Sequence, residues 1–134
     1  MTVTDGRAVL VLENFPSPVM ARALSPNGRA HWATKRKFTE AVHDFVKLRA
    51  FVQQLQPMIG YVVMQPTFIY PVARTRDDDN LSTGVLKAVR DGLVRAGLLM
   101  ADDMDHLEQK RPIVEVQKRR RALILEFHMA ERKA

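Results

Sequence analysis

Three consecutive aspartates and an asparagine, Asp77-Asp78-Asp79-Asn80, are the residues of this chain best suited to chemistry. A second acidic pair, Asp102-Asp103, follows beyond a stretch with helical spacing. Eight of the 15 acidic residues fall between Asp77 and Glu108, although 21 Lys and Arg give the chain a formal net charge of +6. Like charge crowded in this way is unfavourable unless a cation sits among it. Hard divalent ions such as Mg²⁺ take carboxylate oxygens, so the cluster points to a metal. In extended backbone, alternate side chains share a face, which would set Asp77 and Asp79 together and Asp78 opposite. Asp103, or Asp102 in its place, would add a third carboxylate if the loop after Gly97 folds back to the start of the intervening helix. A helix of about 16 residues is roughly 24 Å long, so that third ligand is a tertiary expectation. Lys87 offers a mobile cation for charge on a phosphoryl transition state. Plainer readings stand beside these: Asp79 and Asn80 are good helix caps, and Lys87 is spaced to pair with Asp91 at i+4.

The elements that must position these groups follow from patterning. Arg7 to Glu13 is rich in β-branched and apolar residues and runs as a strand into a loop at Pro16-Ser17-Pro18. Residues 22–37 read as a basic connector with a turn at Asn27-Gly28. Helical spacing runs from about Ala30 to Gln56, placing Trp32, Phe38, Val42, Phe45, Val46, Leu48, Val52 and Leu55 on one broad face, and Pro57 closes it. Gly60 to Tyr70 is a second strand, bent or at an edge near Pro66. Leu81, Val85, Val89 and Leu93 give a second helix from Asn80 to Ala96, ended by Gly97. Pro112 to Val116 and Ala122 to His128 read as a hairpin around Lys118-Arg119-Arg120-Arg121. The expected fold is α+β, a small mixed sheet with two main helices packed on it, in the order β-α-β-α-β-β. All 134 residues form one domain, with 1–6 and 130–134 expected to fray.

Composition narrows the function classes. The chain is 46% hydrophobic and 27% charged, as a globular protein is. No run approaches a membrane span, and the N-terminus has no signal-peptide core. With no cysteine, disulfides and thiolate metal sites are excluded, which fits a cytoplasmic setting. A pI near 10.1 favours nucleic acid as partner. Candidate phosphate or base contacts are Arg29, His31, Trp32, Lys35, Arg36 and Lys37, then Arg74 and Arg76 beside the acids, then Lys118, Arg119 and Arg120. Trp32 would stack on a base or sugar, or pack in the core as a lone Trp on an amphipathic helix does. Lys118 to Arg121 equally suits a charged tip that discourages edge pairing. His43, His106 and His128 are scattered, without ligand spacing.

The run from Arg76 to Leu81, then Lys87-Ala88-Val89-Arg90-Asp91-Gly92-Leu93, then Ala96-Gly97-Leu98 and Asp102-Asp103, resembles RusA-type Holliday junction resolvases. Ser25 to Trp32 is similar to a loop near the N-terminus of phage and actinobacterial members. The resemblance implies Asp77, Asp79 and Asp103 as Mg²⁺ ligands, with Mn²⁺ as substitute, and Lys87 as the catalytic lysine. It implies a homodimer that nicks both strands of a four-way DNA junction, leaving 5′-phosphate ends. One departure is visible. Lys87 follows Asp79 by eight residues where the founding members have four, as if one turn, Ser82-Thr83-Gly84-Val85, had been added. Two alternatives remain: a non-catalytic DNA-binding module of the same fold, and a metal-dependent nuclease for flaps or other branched DNA.

Overall fold

The computed structural model describes residues 6–25, 31–73 and 78–130, with 78–82 described by their backbone alone. The elements are β1 (Arg7–Glu13), α1 (Pro18–Leu24), α2 (Trp32–Val52), β2 (Tyr61–Tyr70), α3 (Asp78–Arg95), β3 (Leu107–Gln109), β4 (Ile113–Val116) and β5 (Ala122–Ala130). The fold is α+β, as the patterning implies. The order differs by two additions, α1 and β3.

One five-stranded sheet runs β1-β5-β2, and β3 and β4 follow one another along the far side of β2. β5 is antiparallel to both neighbours, with Leu10 facing Leu125 and Met64 facing Phe127. β3 and β4 are parallel to β2, in register Val62 to Leu107 and Thr67 to Ile113. A parallel neighbour needs a crossover connection, and α3 supplies it between β2 and β3.

This pairing corrects one expectation and qualifies another. β4 and β5 are not a hairpin, because β2 lies between them; residues 117–121 pass from one side of β2 to the other. Gln117 N–H donates to Tyr70 O at 3.0 Å, and Arg119 turns the chain at φ 64°. β2 as a whole is an interior strand rather than an edge, but at Pro66 it is paired with β5 alone, between the ends of β3 and β4. Backbone groups of Val62 and Met64 point toward β3, and by alternation so would the N–H that Pro66 lacks. That position falls in the gap between β3 and β4. Gln65 Nε2 fills it, donating to Pro66 O at 2.8 Å and Arg111 O at 3.1 Å. Gly6 and Ala130, expected in the frayed ends, are tied to the sheet: Met129 N–H donates to Gly6 O, and Ala130 faces Tyr61. Residues 1–5 and 131–134 lie outside the described residues.

α2 and α3 cover one face of the sheet. Val42, Val46 and Ala50 meet Val85, Leu86, Val89 and Leu93 over Leu10, Leu12, Met64, Phe68, Leu123, Leu125 and Phe127. Each fully buried Leu or Phe contributes about 1.5–3 kcal/mol on leaving water. The buried stripe of α2 is narrower than its sequence suggests, because Trp32, Leu48 and Val52 are exposed. α2 also stops earlier, in a Schellman turn: Gln54 takes φ 58°, and Leu55 N–H reaches back to Ala50 O. Gln53 beyond it covers the open edge of β1, accepting from Val11 N and donating to Val11 O. α3 ends the same way, with Gly97 at φ 77° and Leu98 N–H on Leu93 O. Gly97 thus closes α3 as its sequence position requires.

Residues 22–37 are not a plain connector. Ser17 caps α1 by accepting from Met20 N at 3.1 Å, and Pro18 opens the helix. α2 begins at Trp32, with His31 Nδ1 as its cap, accepting from Ala33 N.

Candidate functional site

α3 carries most of the candidate chemistry. Its first residues are Asp78, Asp79 and Asn80. The extended Asp-x-Asp geometry therefore does not continue through Asp79, and Asn80 is inside the helix rather than its cap. Asp77, Arg74, Arg76 and Arg29 lie outside the described residues. Asp78 and Asp79 enter where the helix dipole favours negative charge, so the local backbone tolerates this acidic run.

The second pair, Asp102 and Asp103, sits in the loop from α3 to β3, and its two members do different things. Asp102 Oδ2 lies 4.0 Å from Arg90 Nε, and Arg90 Nη1 also donates to Gln109 Oε1 on β3. Asp103 instead builds a turn. Its backbone oxygen accepts from His106 N at 3.1 Å and Leu107 N at 2.9 Å. Its Oδ1 accepts from Asp105 N at 3.0 Å and from the His106 ring Nδ1 at 2.7 Å. The His106 bond, helped by the Asp105 amide, holds the Asp103 carboxyl below the usual carboxylate range. Asp103 Oδ2 has no hydrogen-bond partner among the described residues.

The return of this loop toward the helix start is partial. Arg90, which Asp102 faces, stands twelve residues past Asp78, about 18 Å along the helix axis. Among the described residues no three His, Cys, Asp or Glu side chains gather as a metal site. The donor types suit a hard cation, since all are carboxylates and no thiol competes.

Lys87 is exposed on α3 and forms no ion pair with Asp91 or any other described residue. It lines a cleft of about 280 Å³ together with Leu24, Lys35, Thr39, Gly84, Ala88 and Asp91. Lys35, half-buried, enters this cleft from α2 and is likewise without an ion-pair partner among the described residues. Thr39 Oγ1 donates to the Lys35 backbone carbonyl at 2.8 Å.

The remaining cations divide. Arg36 pairs with Glu40 at 3.2 Å, while Lys37 is exposed. Arg120 is bound to Glu13 across the sheet end, and Arg121 lies over the Tyr70 ring at 5.5 Å. Lys118 and Arg119 are exposed beside the end of β2 from which the chain departs toward α3. Trp32 is 67% exposed, with the His31 ring tilted against it at 5.4 Å. α2 also has no acid in its first turn to offset Lys35, Arg36 and Lys37, leaving its positive end reinforced.

Sequence reasoning passed over His106. The signal was present as Asp103-x-x-His106, an i,i+3 pair that a turn brings together. Among the described residues no helix is long and apolar enough to cross a membrane. Compared with known proteins, the chain matches no family model and no curated sequence.

Proposed function

We propose that this chain is a metal-dependent endodeoxyribonuclease acting on branched DNA, similar to RusA-type junction resolvases. The observation that carries the proposal is the acidic run opening α3 in a basic chain with uncommitted cations on α2, α3 and the turn after β4. Lys118 and Arg119 stand beside the last residue of β2, and Lys35 and Lys87 share a cleft on α3. Asp77 and Asp79 would hold Mg²⁺, or Mn²⁺ in its place, and Asp103 is proposed as the third carboxylate on the sequence resemblance. The ion's chemistry is to polarise a scissile phosphate and lower the pKa of an attacking water. The protein's part is to grip phosphates on either side and to neutralise charge with Lys87. Paired cuts across a four-way junction require two copies of the chain.

The test is cleavage of a synthetic four-way junction, a flap and a blunt duplex, with and without EDTA. Paired, EDTA-sensitive nicks in the junction, with the duplex spared, are expected. Asp79→Asn should abolish cutting and retain binding; full activity in that variant sinks the assignment. Sedimentation of the protein alone and on DNA tests the dimer.

One observation favours a second reading. The 18 Å of helix between Asp78 and Arg90 separates the two acidic clusters within one chain. A non-catalytic DNA-binding module would bind the junction and cut nothing across Mg²⁺ and Mn²⁺ titrations.

A further inference from the structure

The cleft between α2 and α3 offers more than a general basic surface. Lys35 and Lys87 reach it from different helices, and neither is neutralised by a described carboxylate. Asp91 also lines the cleft but forms no ion pair with either lysine. Gly84 and Ala88 also line the cleft, whose volume is about 280 Å³. Two ammonium groups across one cleft repel each other, and an anion between them removes that cost.

Trp32 stands one helical turn before Lys35, at i and i+3 on the same face of α2. It is the chain's single Trp and is 67% exposed, where an indole usually finds a packed site. A flat ring one helical turn from a cleft that two lysines enter is an arrangement suited to unpaired strands: aromatic faces stack on bases while cations hold the backbone. A continuous duplex keeps its base faces stacked on one another and offers none to Trp32.

We infer that the α2–α3 cleft holds a backbone phosphate of an unpaired DNA strand between Lys35 and Lys87, while Trp32 stacks on the neighbouring base. The inference rests on DNA being the substrate, and it assigns the part of a branched substrate that this face engages: the nucleotides left unstacked at the branch.

Trp32 is its own reporter. Its emission is followed in EDTA while oligothymidylate of about 12 nucleotides, or a blunt duplex of equal length, is added. Saturable quenching by the single strand, with little change on adding duplex, is expected. Lys35→Ala and Lys87→Ala should each lower affinity and reduce the slope of log K against log salt by about 0.7. Trp32→Ala, followed by anisotropy of a labelled strand, should weaken binding roughly tenfold. All three side chains are at least partly exposed, so the variants are expected to keep the wild-type circular dichroism. Equal quenching by duplex, or wild-type affinity in the Lys35→Ala/Lys87→Ala double variant, overturns the inference. Quenching without any junction cutting leaves it standing and removes the endonuclease; cutting without quenching does the reverse.

Discussion

Gly84 of α3 lies directly against the carbonyl of Leu24 at the end of α1: a methyl group placed on Gly84 would sit 1.8 Å from Leu24 O. No side-chain adjustment relieves a clash with backbone, so α1 seats on α3 only because residue 84 has no Cβ. Gly84 lies between Asp79 and Lys87 in the sequence, and it is both the seat of α1 and part of the lining of the Lys35–Lys87 cleft.

Gly84→Ala should destabilise the protein by about 1–3 kcal/mol through overpacking, although alanine is the better helix former. Gly92 provides the comparison, because a methyl there meets His43 Cα at 3.3 Å, a contact that small shifts absorb. Urea denaturation of both variants checks this. A Gly84→Ala loss no larger than that of Gly92→Ala would show that α1 is not held by this contact.

The Asp103–His106 bond makes a spectroscopic prediction. With His106→Ala, the Asp103 carboxyl loses the main cause of its lowered pKa and should titrate closer to an ordinary aspartate. A carboxyl depressed in the folded state stabilises above its unfolded pKa, and that contribution disappears as pH falls through the folded value. Carbon-detected titration of the Asp103 side chain measures the shift directly. An unchanged midpoint in His106→Ala would mean that the Asp105 amide alone sets it.

Local signals were legible where they were self-sufficient. β1 could be read from its run of β-branched and apolar residues, α3 from Val85, Val89 and Leu93, and its end from Gly97. α1 is only seven residues long, too short for periodicity, and its one signature was Ser17-Pro18 as cap and first turn. Strand partners were not legible. Lys118 to Arg121 has the composition of a hairpin tip, but β4 lies parallel to β2, with Val114 opposite Phe68, and β5 takes both β1 and the other side of β2. That choice is a long-range backbone pairing, which spacing does not encode. At the candidate site, residue types were legible and their separation was not: only the path of the loop after Gly97 tells that Asp102 stops beside Arg90.

His43 carries a pH prediction. Its Nε2 is buried without a hydrogen-bond partner, and burial, aided by Arg95, pushes its pKa below the usual value against the opposing pull of Asp91, Asp44 and Glu40. The unfolded chain takes up a proton near pH 6.5 while the native state still resists it. Stability should therefore fall as pH drops through that value and level off below the native pKa. Melting temperatures at about pH 7.5 and about pH 5.5 check the sign, with His43→Gln as reference. Wild type should lose more than the variant over this window; equal losses would place the acid sensitivity elsewhere.

Arg90 joins α3 to β3 and to the loop before it, and its two bonds are unequal. The Arg90 side chain is 21% exposed and donates to Gln109, whereas the Asp102 side chain, 39% exposed, stands at the long distance of 4.0 Å. β3 has only three residues, so side-chain ties matter to its docking. Arg90→Ala should cost about 1.5–3 kcal/mol, the range for hydrogen bonds to charged groups. Asp102→Asn should cost under about 1 kcal/mol, as exposed, long ion pairs do. The same two acids separate structural from chemical roles. If Asp103 serves a metal and Asp102 serves Arg90, Asp102→Asn keeps junction cleavage and Asp103→Asn loses it with binding intact. Loss of cleavage in both variants, each with wild-type urea midpoints, would give Asp102 a chemical role and leave the Arg90 contact incidental.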